Sequence, residues 1–153
     1  MSLAIDVAEI RACAQHCAAA NVRRASRAVT RLYGHIMAQT HLEPTQYSLL
    51  VACSLAKGLT LSKLADVLAM DRSALARNLA IMEKRDLVHV SAGGDRRTRK
   101  VALTEAGKIA LADALPVWRE AQNTVERKFG ADRLRRLLSE LRALTDAAQT
   151  KDP

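Results

Sequence analysis

The sequence predicts a mainly α-helical chain with one small β-hairpin, and three observations lead there. The 153 residues are rich in Ala and Leu and hold only three prolines and six glycines, a mixture that favours helix. Apolar residues recur at helical spacing, as in Val22, Ala25, Val29, Leu32 and Ile36, which places them on one stripe. The period then changes once. Leu87-Val88-His89-Val90-Ser91 alternates, and Thr98-Arg99-Lys100-Val101-Ala102-Leu103 pairs with it across the Gly93-Gly94 turn. A chain of this length is expected to form one domain.

Taken in order, residues 8–38 read as one long helical stretch. Arg23, Arg24, Arg27 and Arg31 project from the side opposite its apolar stripe. They form a solvated charged face or, on a sharper reading, a secondary anion contact or an inter-subunit salt-bridge surface. Pro44 ends the pattern, because proline disfavours helix at the residue before it. Thr45 is then expected to cap a helix to about Leu55, with Tyr47, Leu50, Val51 and Leu55 inward. Gly58 ends that segment and Leu59-Thr60-Leu61 is extended. Thr60 caps a short helix to about Ala69, with Leu61, Leu64, Ala65 and Leu68 on its inner stripe.

Met70-Asp71 makes a turn of a length typical of helix-turn-helix units. Asp71 is placed to cap the next helix, its carboxylate accepting from the amides of Ser73 or Ala74. Leu75, Leu79 and Met82 bind that helix to the core, so its outer face carries Arg72, Ser73, Ala76, Arg77 and Ala80. Small residues allow a helix backbone to approach DNA closely, and Arg reaches guanine O6/N7 or a phosphate. Acidic residues appear only at Glu83 and Asp86. The hairpin tip crowds Arg96, Arg97, Arg99 and Lys100, with Asp95 to offset one charge; phosphates would offset the others. Helix, turn, helix and basic ribbon together make a winged helix-turn-helix over residues 45–104. An ordinary exposed basic hairpin is the plainer alternative.

Thr104-Glu105-Ala106-Gly107 opens a long helix with an apolar stripe of Leu111, Leu115, Trp118, Val125 and Phe129. Pro116 is expected to bend it and Gly130 to stop it. Asp132 is expected to cap a last helix with Leu134, Leu137, Leu138, Leu141 and Leu144 inward, and the tail from Gln149 to Pro153 to fray. That leucine row needs a partner, and a second subunit is the natural one. Residues 7–40 and 105–148 thus form a helical dimerisation region.

The formal net charge of +8 favours a polyanionic partner, nucleic acid or an anionic membrane. Three cysteines, Cys13, Cys17 and Cys53, make no disulfide framework. No apolar run spans a bilayer, and Met1-Ser2-Leu3-Ala4-Ile5-Asp6 lacks a signal-peptide pattern, so a cytoplasmic location is expected. There is no Gly-rich phosphate loop and no nucleophile elbow, so no enzyme and no cofactor are expected. The other functions kept open are a non-specific architectural DNA-binding protein, with no need of base reading by Arg77 or Asn78, and a small basic enzyme.

These residues resemble the multiple antibiotic resistance regulator (MarR) family over nearly the whole chain. The most specific part is Asp95-Arg96-Arg97 with Leu103-Thr104-Glu105-Ala106-Gly107, similar to the family's D-x-R wing and its L-T-x-x-G continuation. Leu64-Ala65, Asp71-Arg72-Ser73 and Leu79 with Leu87-Val88 add to it. Where the family often has Gly before the strand, this chain has Asp86. The resemblance implies a homodimer with intertwined terminal helices, reading a pseudo-palindromic operator as a regulator, most often a repressor. Its recognition helices would lie about 34–36 Å apart or adapt to that spacing. The helix from Arg72 would enter the major groove and the Arg97 wing the minor groove, with Asp95 orienting the wing arginine.

The family also implies a sensor for a small molecule or an oxidant. On a helix Cys13, His16 and Cys17 share one face at spacings of three and four, as a redox thiol assisted by His16 or a metal site would require. Two small buried cysteines are the plain alternative, and no fourth metal ligand is visible. A bridge within one straight helix is geometrically poor; one between subunits fits better. Tyr33, Met37, Tyr47 and Trp118 either line a ligand cavity or are core. Cys53, His35, His41 and His89 receive no role.

Overall fold

The computed structural model describes residues 6–56, 58–93 and 98–149. Asp6 caps helix α1 (Val7–His16), its carboxylate accepting the Ala8 amide at 2.8 Å. Helix α2 (Ala18–Met37) follows after a break at Cys17, which is extended at φ −65°, ψ 110°. The single stretch expected over 8–38 is therefore two helices. Asn21 spans the break: its side-chain amide donates to the carbonyls of Gln15 and Cys17 at 3.1 and 3.0 Å, and the Cys17 carbonyl also accepts the Asn21 backbone amide at 3.1 Å.

Helix α3 (Pro44–Leu55) starts two residues earlier than expected. Pro44 takes the first helical position, where its missing N–H costs nothing, so Glu43 rather than Thr45 is the cap. Gln46 returns a bond to the Glu43 amide at 3.2 Å. Tyr47 and Leu50 are buried as expected, with Leu49, Ala52 and Cys53 beside them, but Leu55 is 83% exposed.

Strand β1 (Leu59–Thr60) pairs antiparallel with β3 (Arg99–Leu103), which pairs on its other side with β2 (Val88–Ala92). The expected ribbon is thus a three-stranded sheet with β3 at its centre. Helix α4 (Leu61–Val67) is capped by Thr60, whose hydroxyl accepts the Lys63 amide. Ala69 then turns left-handed at φ 48°, and Met70 donates back to the Ala65 carbonyl at 2.9 Å, a Schellman-type stop. Helix α5 (Arg72–Lys84) ends the same way, with Asp86 at φ 55° and Leu87 donating to Met82 at 2.9 Å.

Helix α6 (Glu105–Phe129) runs through Pro116. Its fully buried positions are Gly107, Ala114 and Ala121, seven residues apart, with Leu111, Val117 and Trp118 half-covered beside them. Of the expected stripe of large residues, Leu111, Trp118, Val125 and Phe129 are half-buried, and Leu115 is exposed. Small residues let α6 lie close against α2 and α3, its main neighbours. Gly130 at φ 96° separates α6 from α7 (Ala131–Gln149). Asp132 sits inside the first turn of α7, paired with Arg135, rather than at the cap. In this single chain only Leu134 of the expected leucine row is buried; Leu137, Leu138 and Leu144 are exposed and Leu141 is half-buried. Of the tail expected to fray, Gln149 is helical, donating to the Asp66 carbonyl at 3.4 Å, and the other positions lie outside the described residues. The core gathers Met37, Leu42, Tyr47, Leu49, Leu50, Leu64, Leu75, Leu79, Met82, Leu87, Val88 and Val101.

Candidate nucleic-acid interface

The outer face of α5 is set by how the helix begins. Asp71 accepts the amides of Ser73 and Ala74 at 2.8 and 3.2 Å and the Ser73 hydroxyl at 2.5 Å. The Ser73 hydroxyl bond and these two amides hold the Asp71 carboxyl below its usual range, because each favours the charged form. With Leu75, Leu79 and Met82 buried, Arg72, Ser73, Ala76, Arg77 and Ala80 stand exposed together. Arg77 lies along the helix, within 3.5 Å of the Ser73 hydroxyl. Asn78 is half-buried and turns its amide onto the Ala74 carbonyl at 3.0 Å. Ile81, at the end of this face, is exposed.

Behind α5 the sheet carries Arg99 and Lys100, both exposed on β3. Asp95, Arg96 and Arg97 lie outside the described residues. Glu83 joins α5 to the sheet: its carboxylate accepts the Val90 amide of edge strand β2 at 3.0 Å and lies 4.0 Å from His89 Nδ1. Arg85, just past the same end of α5, joins it to the α2–α3 joint through His41 and Gln46. Helical spacing announces neither tie: the Arg85 bonds cross 39 and 44 residues of chain, and the Glu83 bond crosses the turn from α5 into β2, seven residues on. Thr104 was legible as a helix opener. Its hydroxyl accepts the Gly107 amide and donates to the Asp86 carbonyl.

The four residues considered for a ligand cavity divide. Tyr47 and Trp118 stack with ring centres 6.4 Å apart and planes at 17°. They line a mostly apolar cavity of about 540 Å³ with Val51, Leu55, Val67 and Leu115. Met37 is core, and Tyr33 donates to Gln122 at 2.7 Å instead. Burial, then Glu126 and Tyr47, raises the Tyr33 phenol above its usual value.

Cys13 is exposed, Cys17 half-buried and Cys53 buried. Burial lifts the Cys53 thiol to about 11, so it stays protonated and unreactive. Cys17 closes α1 as its C-cap, its amide donating to the Cys13 carbonyl at 3.0 Å, and the chain turns out of helical geometry only beyond it. Among the described residues no three His, Cys, Asp or Glu side chains are placed to hold a metal. No described helix is long and apolar enough to cross a membrane.

A capped second helix with an open face of small residues and arginines, backed by a three-stranded sheet, defines a winged helix-turn-helix of the kind used by DNA-binding regulators. The MarR family model matches residues 42–98, the span from the start of α3 to the wing. The transcriptional regulator MosR of M. tuberculosis, solved in complex with DNA, is 35% identical. The match covers 88% of this chain and 100% of that one, at a TM-score of 0.77. The chain belongs to the MarR family of transcription regulators. A probable transcriptional regulator from Pseudomonas aeruginosa is 26% identical over 80% of this chain and 95% of its own, at a TM-score of 0.71. The repressor CouR of Rhodococcus jostii, bound to a 23-mer DNA duplex, shares the fold at 23% identity, with coverage of 94% and 99% and a TM-score of 0.77. Comparison with curated protein sequences gives no match.

Proposed function

We propose that this regulator is a cytoplasmic homodimeric repressor that binds a pseudo-palindromic DNA operator and is released by a small ligand or an oxidant. The observation that carries the reading is the open face of α5, where Arg72 and Arg77 flank small residues and no acid intervenes before Glu83. Residues 45–104 are the DNA-binding module. Arg72, Ser73, Ala76, Arg77 and Asn78 read the major groove, while Arg96, Arg97 and Arg99 reach the neighbouring groove and Asp95 orients the wing. Residues 7–40 and 105–148 form the dimer region, in which a second copy covers the exposed leucines of α7. The cavity beside Tyr47 and Trp118 is the ligand site. Exposed Cys13 is the thiol open to oxidants, and a bridge between subunits is its natural product.

Selection of bound sequences from a random duplex pool tests the reading, and Arg77→Ala sharpens it. The expected result is a two-fold-symmetric site, with the variant losing discrimination at one position per half-site by about 1–3 kcal/mol. Equal loss on selected and random duplex makes Arg77 a phosphate contact and favours a non-specific architectural protein. Failure to enrich any sequence overturns the reading.

A further inference from the structure

Arg85 stands immediately after α5 and reaches far back along the chain. One guanidinium nitrogen donates to the His41 carbonyl at 2.8 Å, and the other terminal nitrogen to Gln46 Oε1 at 3.1 Å. Both acceptors belong to the joint that leads from α2 into α3. His41 is itself fixed in the left-handed region at φ 56°, its amide bonded to the Ala38 carbonyl at 3.1 Å. Gln46 is buried, and the same Oε1 also accepts the Glu43 amide that starts α3. One amide oxygen therefore holds the beginning of α3 and the end of α5.

The main packing neighbours of α5 are α4 and β2. The helices assigned above to the dimer region are not among them. The end of α5 is also tied to the start of α6: Thr104 donates its hydroxyl to the Asp86 carbonyl and its amide to the Leu87 carbonyl, against which Gly107 packs. These ties all meet the chain at Asp86 and Leu87. The two directed bonds from the planar Arg85 fork add a second point of attachment, on the α2–α3 joint, so the helix end is held from two sides. Arg85 has no acidic partner within ion-pair distance among the described residues, so its partners are neutral groups of the joint.

We propose that Arg85 is a positioning residue that sets the angle of α5 against the α2–α3 joint, through which the DNA-binding module meets the dimer region, and so selects the spacing between the two half-sites rather than the bases within them. This rests on the dimeric, DNA-binding reading above. DNA geometry makes the property measurable. One inserted base pair moves a half-site by about 3.4 Å and turns it by about 35° at 10–10.5 base pairs per turn. A rigid dimer cannot follow that shift, and a loosened one can.

The test uses the full-length dimer and the selected operator, with the central spacer shortened or lengthened by one and two base pairs. Wild type is expected to prefer one spacing by about tenfold or more, the equivalent of 1.4 kcal/mol. Arg85→Ala is expected to cut that preference to about threefold or less, while keeping base discrimination within the half-site and an unchanged dimer. Arg85→Lys, which keeps the charge but not the fork, should fall between and guards against loss of fold in the alanine variant. A spacing profile in both variants that parallels wild type, whatever the absolute affinity, overturns the proposal and leaves the DNA-binding reading standing. Absence of duplex binding by wild type overturns the functional reading and the proposal together.

Discussion

Gly107→Ala is the sharpest test of how the DNA-binding module meets α6. A Cβ at this position would lie 1.9 Å from the Leu87 carbonyl oxygen and 2.9 Å from its carbon. Both atoms are backbone, so no rotamer change relieves the overlap. The oxygen also accepts the Thr104 amide at 3.3 Å, and Leu87 is buried, which leaves the strand start little freedom to retreat. Helix propensity favours the alanine by about 0.8–1.0 kcal/mol. Against this stand overpacking of about 1–3 kcal/mol and a weakened Thr104 bond of about 0.5–1.5 kcal/mol. The net expectation is a loss of about 2 kcal/mol, or roughly 4–8 °C in Tm for a chain of this size. Circular dichroism melts at fixed protein concentration measure it, since dimer stability depends on concentration. Gly34→Ala is the control: its nearest foreign atom is Pro44 Cγ at 3.9 Å, and it should gain from helix propensity. A Gly107→Ala protein that melts at or above wild type would refute the close approach.

Two further predictions concern the ends of α5. Asp86 holds φ 55°, where an L-residue is strained and glycine is not, so Asp86→Gly should stabilise by about 0.5–1 kcal/mol in urea unfolding despite its greater unfolded-state entropy; a lower midpoint would count against it. Asp71 has a lowered carboxyl pKa, with its first cause the Ser73 hydroxyl bond. Because the folded value lies below the unfolded one, its stabilisation is present above the ordinary carboxylate range and is lost as pH falls through the lowered value. Asp71→Asn keeps a capping oxygen without that titration, so the stability gap to wild type should narrow on acidification; a gap constant from neutral pH to about pH 2 would remove Asp71 as a source of pH dependence.

Much of this was written locally. The Asp71 cap, the buried Leu75, Leu79 and Met82, and the open face they leave follow from helical spacing alone. The hairpin follows from the change of period, and β3 pairs with β2 as expected. The features that escaped have a common cause. Cys17 breaks a helix without proline or glycine, and its only local clue is an Asn side chain four residues on. Strand β1 has two residues, too few for a pattern. A search for large apolar side chains overlooks the Gly107, Ala114 and Ala121 spine, because close helix packing selects for small size. Leu55 continues the inward spacing of α3, yet it stands exposed at the helix end and at the rim of the cavity. The Glu83 and Arg85 ties depend on where other segments lie, which spacing does not encode.

Asp86 shows how a departure from a family pattern is absorbed. Glycine is the usual stop before the strand because the chain must turn left-handed there. This chain turns the same way at Asp86, and at Ala69 before α5, with residues that bear the strain themselves. Both stops are closed by bonds of 2.9 Å to the residue five back, Met70 to Ala65 and Leu87 to Met82. Helix α5 is thus bounded by a left-handed turn on each side, with Asp71 fixing its first amides and Arg85 anchoring the chain just past its last turn. A helix defined at both ends cannot lengthen, fray or rotate to suit a ligand without breaking several bonds. If α5 reads DNA as proposed, it arrives with its face already formed, and little ordering entropy is spent on binding. On the readings proposed above, any adaptability lies elsewhere, in how firmly Arg85 holds the angle of α5 and in a pairing of two chains through the leucines of α7. An effector of the kind proposed above would accordingly act on placement of α5 rather than on its shape, and effector-bound and free forms should then protect the α5 amides from hydrogen exchange equally.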